Sequence, residues 1–307
     1  MNNKTLGQRI AIDFKRHKWK YLIALPIIVF FILFCYKPMY GIIIAFKDFR
    51  ASAGINGSPW VGLKNFKRFF NDIYFPRLMR NTLSISILSL IFSFPCPIIL
   101  ALLLNEVRVN WFKRGVQTIT YMPHFISIVI VCALLQNFFG PAGMITRFVA
   151  EHMGGNGLSL IGQSKFFYPI YIGSGIWQGV GWSSIIYLAA LAGIDQEQYE
   201  AARIDGAGRI QQMLYITLPG LMPTVSMLLI LNVGSLLSVG YEKILLLYQP
   251  LTYEVADVIS TYTYRKGMLD ADYSYSTAVN LFNSIVNVIL IVTANKVSKK
   301  AGQSGLF

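Results

Sequence analysis

The chain has 307 residues, 54% of them hydrophobic and only 13% charged, with a mean hydropathy of +0.51 and a formal charge of +13. Ordinary soluble domains run roughly 45–50% apolar and about 25% charged, so this chain carries more apolar surface than a water-soluble fold can hide. Three cysteines exclude a disulfide scaffold, and the apolar abundance excludes disorder. In so apolar a chain the excess of cations fits basic loops beside membrane spans better than a nucleic-acid-binding face. The composition is that of an integral membrane protein.

In chain order, a basic segment over residues 1–20 precedes an uncharged run from Tyr21 to Tyr36. Sixteen residues cover only about 24 Å as a helix, so this run crosses a bilayer only if Lys37 snorkels to the interface. No small-x-small cleavage site follows, and Phe34 is too bulky before Cys35 for lipoprotein processing, so the run reads as an uncleaved first helix. The stretch Lys64-Asn65-Phe66-Lys67-Arg68-Phe69-Phe70 alternates cations with aromatics, which suits a helix lying along the headgroups. Residues 81–105, 115–146, 166–194, 210–241 and 273–295 contain no Asp, Glu, Lys or Arg. Each exceeds the ~20 residues that cross a ~30 Å hydrocarbon core.

The pattern predicts an all-α fold of six spans in a transmembrane domain over 21–295, with a loop at 195–217 and a tail at 296–307. Lys and Arg are denser in segments 1–20, 106–114, 195–209 and 296–307 than in 47–80, 147–165 and 242–272. That asymmetry predicts both termini inside, although the first outer loop, rich in cations, dissents. Cys35, Cys96 and Cys132 all fall in apolar runs and read as buried, unbridged thiols.

An ion-driven carrier of polar solutes, the alternative reading, needs titratable groups near mid-membrane. The spans offer His124 beside Pro123, Lys37 near one end and Glu242-Lys243 at another, and no Asp or Glu in mid-span. A membrane-embedded enzyme fares no better: His17, His124 and His152 lie on separate segments, with no metal-ligand spacing. Gly157-Leu158-Ser159-Leu160-Ile161-Gly162 is followed by Gln163 where a phosphate loop requires Lys. The Asn56-Gly57-Ser58 sequon is weak evidence in a chain of this size. Neither a metal, a cofactor nor a catalytic residue is expected, so uphill transport takes its energy from another subunit.

The remaining polar groups of the spans are amides, hydroxyls and indoles: Trp177, Gln178, Trp182, Ser183 and Ser184, then Asn232, Ser235 and Ser238, then Asn280, Asn283 and Asn287. Lipid cannot satisfy them, so they bond internally. They serve either as glue between helices or as the lining of a path for a polar, uncharged solute such as a sugar. Trp177, Gln178, Asn232 and Asn283 are the candidate solute contacts. Gly175 and Gly179 form a small-xxx-small pair, which predicts close helix packing.

The strongest local signal runs from Tyr199-Glu200-Ala201-Ala202-Arg203-Ile204-Asp205-Gly206 to Ile216-Thr217-Leu218-Pro219. It predicts a short helix, a turn at Asp205-Gly206 and a second short helix stopped by Pro219. Such a small unit is weakly stable alone, and a docking partner explains its presence. Ala201 and Ala202 allow close approach, Glu200 offers charge to a basic partner, and Gly206 permits the bend.

Glu-Ala-Ala, three residues, Gly, nine residues, then Ile-x-Leu-Pro resembles the motif of ATP-binding-cassette importer permeases. Glu200, Ala201, Ala202, Gly206, Ile216, Leu218 and Pro219 match every fixed position. Pro38-Met39-Tyr40-Gly41, Ala45-Phe46-Lys47-Asp48 and Val61-Gly62-Leu63-Lys64-Asn65-Phe66 are similar to the outer loop of oligosaccharide permeases. Asn81-Thr82-Leu83 and Tyr187-Leu188-Ala189-Ala190-Leu191 look the same, and Thr261-Tyr262-Thr263-Tyr264-Arg265 with Gly267 resembles polysaccharide-type permeases of Gram-positive bacteria. The chain lacks the extra N-terminal spans and large outer domain of the maltose permease. The resemblance implies a type I importer permease, multi-pass in a bacterial cell membrane and surrounded by lipid. It implies a second homologous permease, two cytoplasmic ATPase subunits, an extracellular solute-binding lipoprotein and an oligosaccharide substrate. The loop carrying Glu200, Asp205 and Gly206 would then be the helix seated in a cleft of the ATPase.

Overall fold

The computed structural model describes residues 6–152, 157–303 and 305–307; residues 1–5 of the predicted N-terminal segment and Ser304 of the tail lie outside them. The described chain is helical throughout, with a single antiparallel bridge between Lys47 and Trp60. Helix α1 (Leu6–Phe30) passes through a wide turn at Phe31–Tyr36 and a tight 3-10 stretch at Tyr40–Phe46. Pro38 falls in the first turn of Lys37–Met39 and does not end the helical stretch. The helical stretch long and apolar enough to cross therefore runs from Arg16 to Phe46, 31 residues, with Lys37 inside it.

After it come α2 (Lys64–Phe70), α3 (Phe75–Ser93), α4 (Pro95–Glu106), α5 (Asn110–Tyr121), α6 (Ile128–Phe139) and α7 (Met144–His152). The long α8 (Ser164–Ala192) leads into α9 (Gln196–Ile204), α10 (Arg209–Gln212) and α11 (Leu218–Gly234). The chain closes with α12 (Tyr241–Leu247), α13 (Ile259–Tyr264) and α14 (Tyr273–Lys300).

Among the described residues five stretches are long and apolar enough to cross a membrane: Arg16–Phe46, Phe75–Glu106, Ile128–His152, Arg209–Gly234 and Tyr273–Lys300. Helix α8 has 29 residues, ~43 Å of helix, yet its glycines, serines, Gln178 and indoles keep it out of that set. It packs against α3, α4, α5 and α11 along part of its surface and leaves Trp177, Trp182, Ile185 and Ile186 exposed. The tightest approach is at Gly181, where a Cβ would stand 2.1 Å from the Thr120 carbonyl oxygen. Gly179 meets nothing within 4 Å, and Gly175 meets only the Lys243 ammonium. The expected close packing at the Gly175/Gly179 pair thus falls at Gly181.

At the end of the bundle opposite the 195–217 loop, the segments 47–80 and 253–275 are locked into one cap. Asn65 is buried and donates to the carbonyls of Ala45 and Lys47 at 2.9 and 3.1 Å, and Phe69 packs with Leu78, Ile259, Tyr262, Tyr275 and Val279. The expected headgroup helix at 64–70 is therefore pinned along one face, leaving Lys64, Lys67 and Arg68 exposed. Asp257, 0% exposed, accepts Arg265 at 2.7 Å and Arg77 at 3.4 Å. Asn81 donates to the carbonyls of Glu254 and Asp257, both at 2.9 Å, while Thr82 accepts the Ile259 amide. The hydroxyls of Tyr262 and Tyr275 both donate to Asp72.

Burial works against the Asp72 carboxylate, but the hydroxyls of Tyr262 and Tyr275 and the Tyr74 amide hold it below its ordinary value of 3.8. A lowered carboxylate stabilises the fold above its unfolded value and loses that contribution as pH falls through the folded one. Thermal unfolding in detergent is expected to be level in this respect above pH 5 and to weaken below about pH 4, with the step reduced in Asp72→Asn. Asp257→Ala, which leaves Arg77 and Arg265 uncompensated, is expected to cost about 3 kcal/mol at neutral pH.

Candidate functional site

Two features stand out: the loop between α8 and α11, and a cavity between the same two helices. The loop begins with Asp195, whose carboxylate accepts the Glu197 amide at 3.0 Å and caps α9. At the other end Asp205 is the C-cap and Gly206 adopts φ +81°. The Ala207 amide reaches the Ala202 carbonyl at 2.8 Å and the Gly206 amide reaches Arg203 at 3.1 Å. This pair of bonds is the Schellman closure, which requires a left-handed residue at Gly206. Gly206 is therefore placed by backbone geometry.

Beyond the turn, the Gly208 amide donates to Gln211 and the Gln212 side chain donates back to the Ala207 carbonyl, at 2.7 and 2.8 Å. The Tyr199 hydroxyl sits 2.9 Å from the buried Thr217 hydroxyl, tying α9 to the foot of α11. The expected stop at Pro219 is not found. A wide turn at Met213–Thr217 carries the chain into α11, where Pro219 occupies the first turn. Arg209–Gly234 is thus one continuous stretch of 26 residues. Glu200 and Ala201 are exposed, as are Asp205, Gly206 and Pro219; Ala202, Ile216 and Leu218 are half-buried. Around them Ile204 is 87% and Tyr215 78% exposed, an apolar face left open beside Glu200 and Arg203.

The cavity, about 550 Å³, is lined by α3, α8, α11 and the residues after it, within the ~300–1,000 Å³ usual for ligand pockets. Its lining includes Ser86, Ser89, Ser93, Tyr171, Trp182, Ser183, Asn232, Ser235 and Ser238, and no charged residue. Of the four expected solute contacts, only Asn232 lines it. Gln178 donates to the Ile126 carbonyl at 3.0 Å, Trp177 is half-exposed away from it, and the Asn283 carbonyl oxygen is buried without a partner. Asn287 holds helices together: it accepts the Leu237 amide and donates to Ser238 at 3.2 and 2.8 Å. His124 stacks face to face on Trp182 at 4.5 Å. The lining missed by sequence reasoning is the serine row of α3, although positions 86, 89 and 93 carry the i, i+3, i+7 spacing of one helix face.

Residues 93–301 match the family model described as "Binding-protein-dependent transport system inner membrane component". The chain belongs to that family. It is 47% identical to Protein LplB of Bacillus subtilis, over 95% of this chain and 92% of that protein. It is 44% identical to the polygalacturonan/rhamnogalacturonan transport system permease protein YteP of the same species, over 99% and 95%. Among solved structures, it is 44% identical to a chain of a bacterial ABC transporter involved in the import of the acidic polysaccharide alginate. The TM-score is 0.87, covering 95% of this chain and 99% of that one. A second, of a bacterial alginate transporter in complex with an alginate pentasaccharide-bound periplasmic protein, gives a TM-score of 0.88 at 43% identity, over 97% and 100%. The chain is thus a multi-pass transport permease with the type I fold.

Gly206→Val is expected to open the loop, because a β-branched residue at this φ costs about 1–2 kcal/mol. Hydrogen exchange at the amides of residues 205–207 should quicken several-fold. Gly206→Asn, whose side chain tolerates the left-handed region, should be milder.

Proposed function

We propose that this chain is half of the translocation path of a type I ATP-driven oligosaccharide importer in a bacterial cell membrane. A second, homologous permease supplies the other half, two cytoplasmic ATPases hydrolyse ATP, and an extracellular binding lipoprotein delivers the substrate. This chain itself catalyses no reaction and carries no cofactor. The observation that carries the reading is the 195–217 loop: the family-like motif coincides with a rigidly capped helix presenting Glu200 and exposed apolar residues to a partner. The permease domain spans 21–295 with a cytoplasmic segment 1–20 and tail 296–307. Helix α8 is its sixth span, and both termini lie inside with the loop.

The Arg16–Phe46 stretch supports the second permease, since its apolar length is not buried within this chain. The oligosaccharide rests on the substrates in the relatives' names, polygalacturonan/rhamnogalacturonan and alginate, and on a hydroxyl- and amide-lined cavity with Trp182 at its wall for stacking. In this reading ATP-driven closure of the ATPases pulls on the loop and rocks α8 and α11, which flank both loop and cavity. The path opens outward to the loaded binding protein, and hydrolysis returns it inward.

Glu200→Lys is expected to abolish ATP-dependent uptake while the protein stays in the membrane; normal uptake sinks the docking assignment. Alanine at Trp177, Gln178, Asn232 and Asn283 together tests the substrate path. A raised KM supports these contacts, and unchanged kinetics assign those four residues to helix packing.

A further inference from the structure

Lys243 is the anomaly of the structure. It lies on α12, is 9% exposed, and among the described residues no carboxylate stands within ion-pair distance of it. Its ammonium donates to the Tyr171 carbonyl at 2.7 Å and sits 4.7 Å from the centre of the Tyr171 ring. An ammonium has three donors, so two remain to be met. A buried cation is costly unless paired, so this ammonium is set up to receive an anionic partner.

Its position relates it to the cavity. Tyr171, Gly175, Gln178 and Trp182 follow the i, i+4, i+7, i+11 spacing that puts residues on one helix face, and the two at the ends line the cavity. The Lys243 ammonium lies against that face at Gly175, 3.5 Å from where a Cβ would stand. Glycine there leaves room that any other side chain would take. Gly240, three residues before Lys243, lines the cavity as well. One cation therefore stands at the edge of a lining that is otherwise uncharged and contains no competing carboxylate.

Resting on the reading of this cavity as the oligosaccharide path, we propose that Lys243 binds a carboxylate of the transported sugar, making the permease selective for uronate-containing over neutral oligosaccharides. A carboxylate supplies the counter-charge the protein omits, and charge-assisted hydrogen bonds are the strong ones. The flexible stem of Lys243 lets the ammonium turn from the Tyr171 carbonyl toward the cavity.

The test uses the complete importer in proteoliposomes, with two probes of equal length, trigalacturonate and its fully methyl-esterified form. ATP-dependent uptake of each is measured for the wild type, Lys243→Met and Lys243→Arg, with Lys243→Gln as a second neutral variant if Lys243→Met fails to assemble. The acid-to-ester ratio of kcat/KM should favour the acid in the wild type, fall about tenfold or more in the neutral variants, and largely survive in Lys243→Arg. An unchanged ratio, with both probes slowed alike or neither, overturns the assignment and makes Lys243 a packing residue. Wild-type uptake of the ester alone also overturns it while leaving the oligosaccharide reading intact. Uptake of neither probe also overturns it, and uptake of a neutral trisaccharide by the same preparation then shows whether the oligosaccharide reading stands.

Discussion

Helix α8 carries polar groups that hydrocarbon cannot satisfy, and α3, α4, α5 and α11 pack against part of its surface. Gln178, the glycines, the serines and the indoles can be satisfied only by other protein groups, because hydrocarbon offers no hydrogen bonds. The surroundings comply at short range. The Ile126 carbonyl takes the Gln178 amide, the Thr120 backbone reaches so near that position 181 admits only glycine, and His124 lies flat on Trp182. Where the cover is incomplete, between α3, α8 and α11, the remainder is the polar cavity.

The same helix joins the cavity to the loop. Helix α8 ends at Ala192 and α11 begins at Leu218, so the loop connects the ends of two of the helices that wall the cavity, with α3 the third. Tyr199 and Thr217 brace α9 against the foot of α11, and the Schellman turn at Gly206 fixes the return of the chain. The Tyr199–Thr217 contact thus links α9 directly to the foot of one cavity wall. At the opposite end the buried Arg77–Asp257–Arg265 group and the Asp72 hydroxyl pair hold the cap as one body, a fixed frame against which those walls can tilt.

Much of this was legible in the sequence. The uncharged intervals located the long helices, and the Glu200–Pro219 spacing located the loop and its turn at Gly206. What failed did so for definable reasons. Pro219 reads as a stop because a proline lacks its N–H, but the wide turn upstream places it in a first helical turn. Trp177 and Asn283 were singled out by chemistry alone, and neither lines the cavity between α3, α8 and α11. The ion group at Asp257 and the bond from Lys243 to Tyr171 join residues up to 180 and 72 positions apart, a pairing that local periodicity cannot express. Hydropathy misleads at α8, where the polar residues that lower it are the reason the helix is central.

In the proposed reading energy enters through the loop at Glu200, because the spans hold no mid-membrane carboxylate to relay a proton. The most direct measurement is uptake of a labelled oligosaccharide by the reconstituted complex, with either ATP enclosed and ion gradients collapsed, or an imposed proton or sodium gradient and no ATP. The account predicts sustained uptake in the first case and none in the second. Gradient-driven uptake without ATP would contradict it.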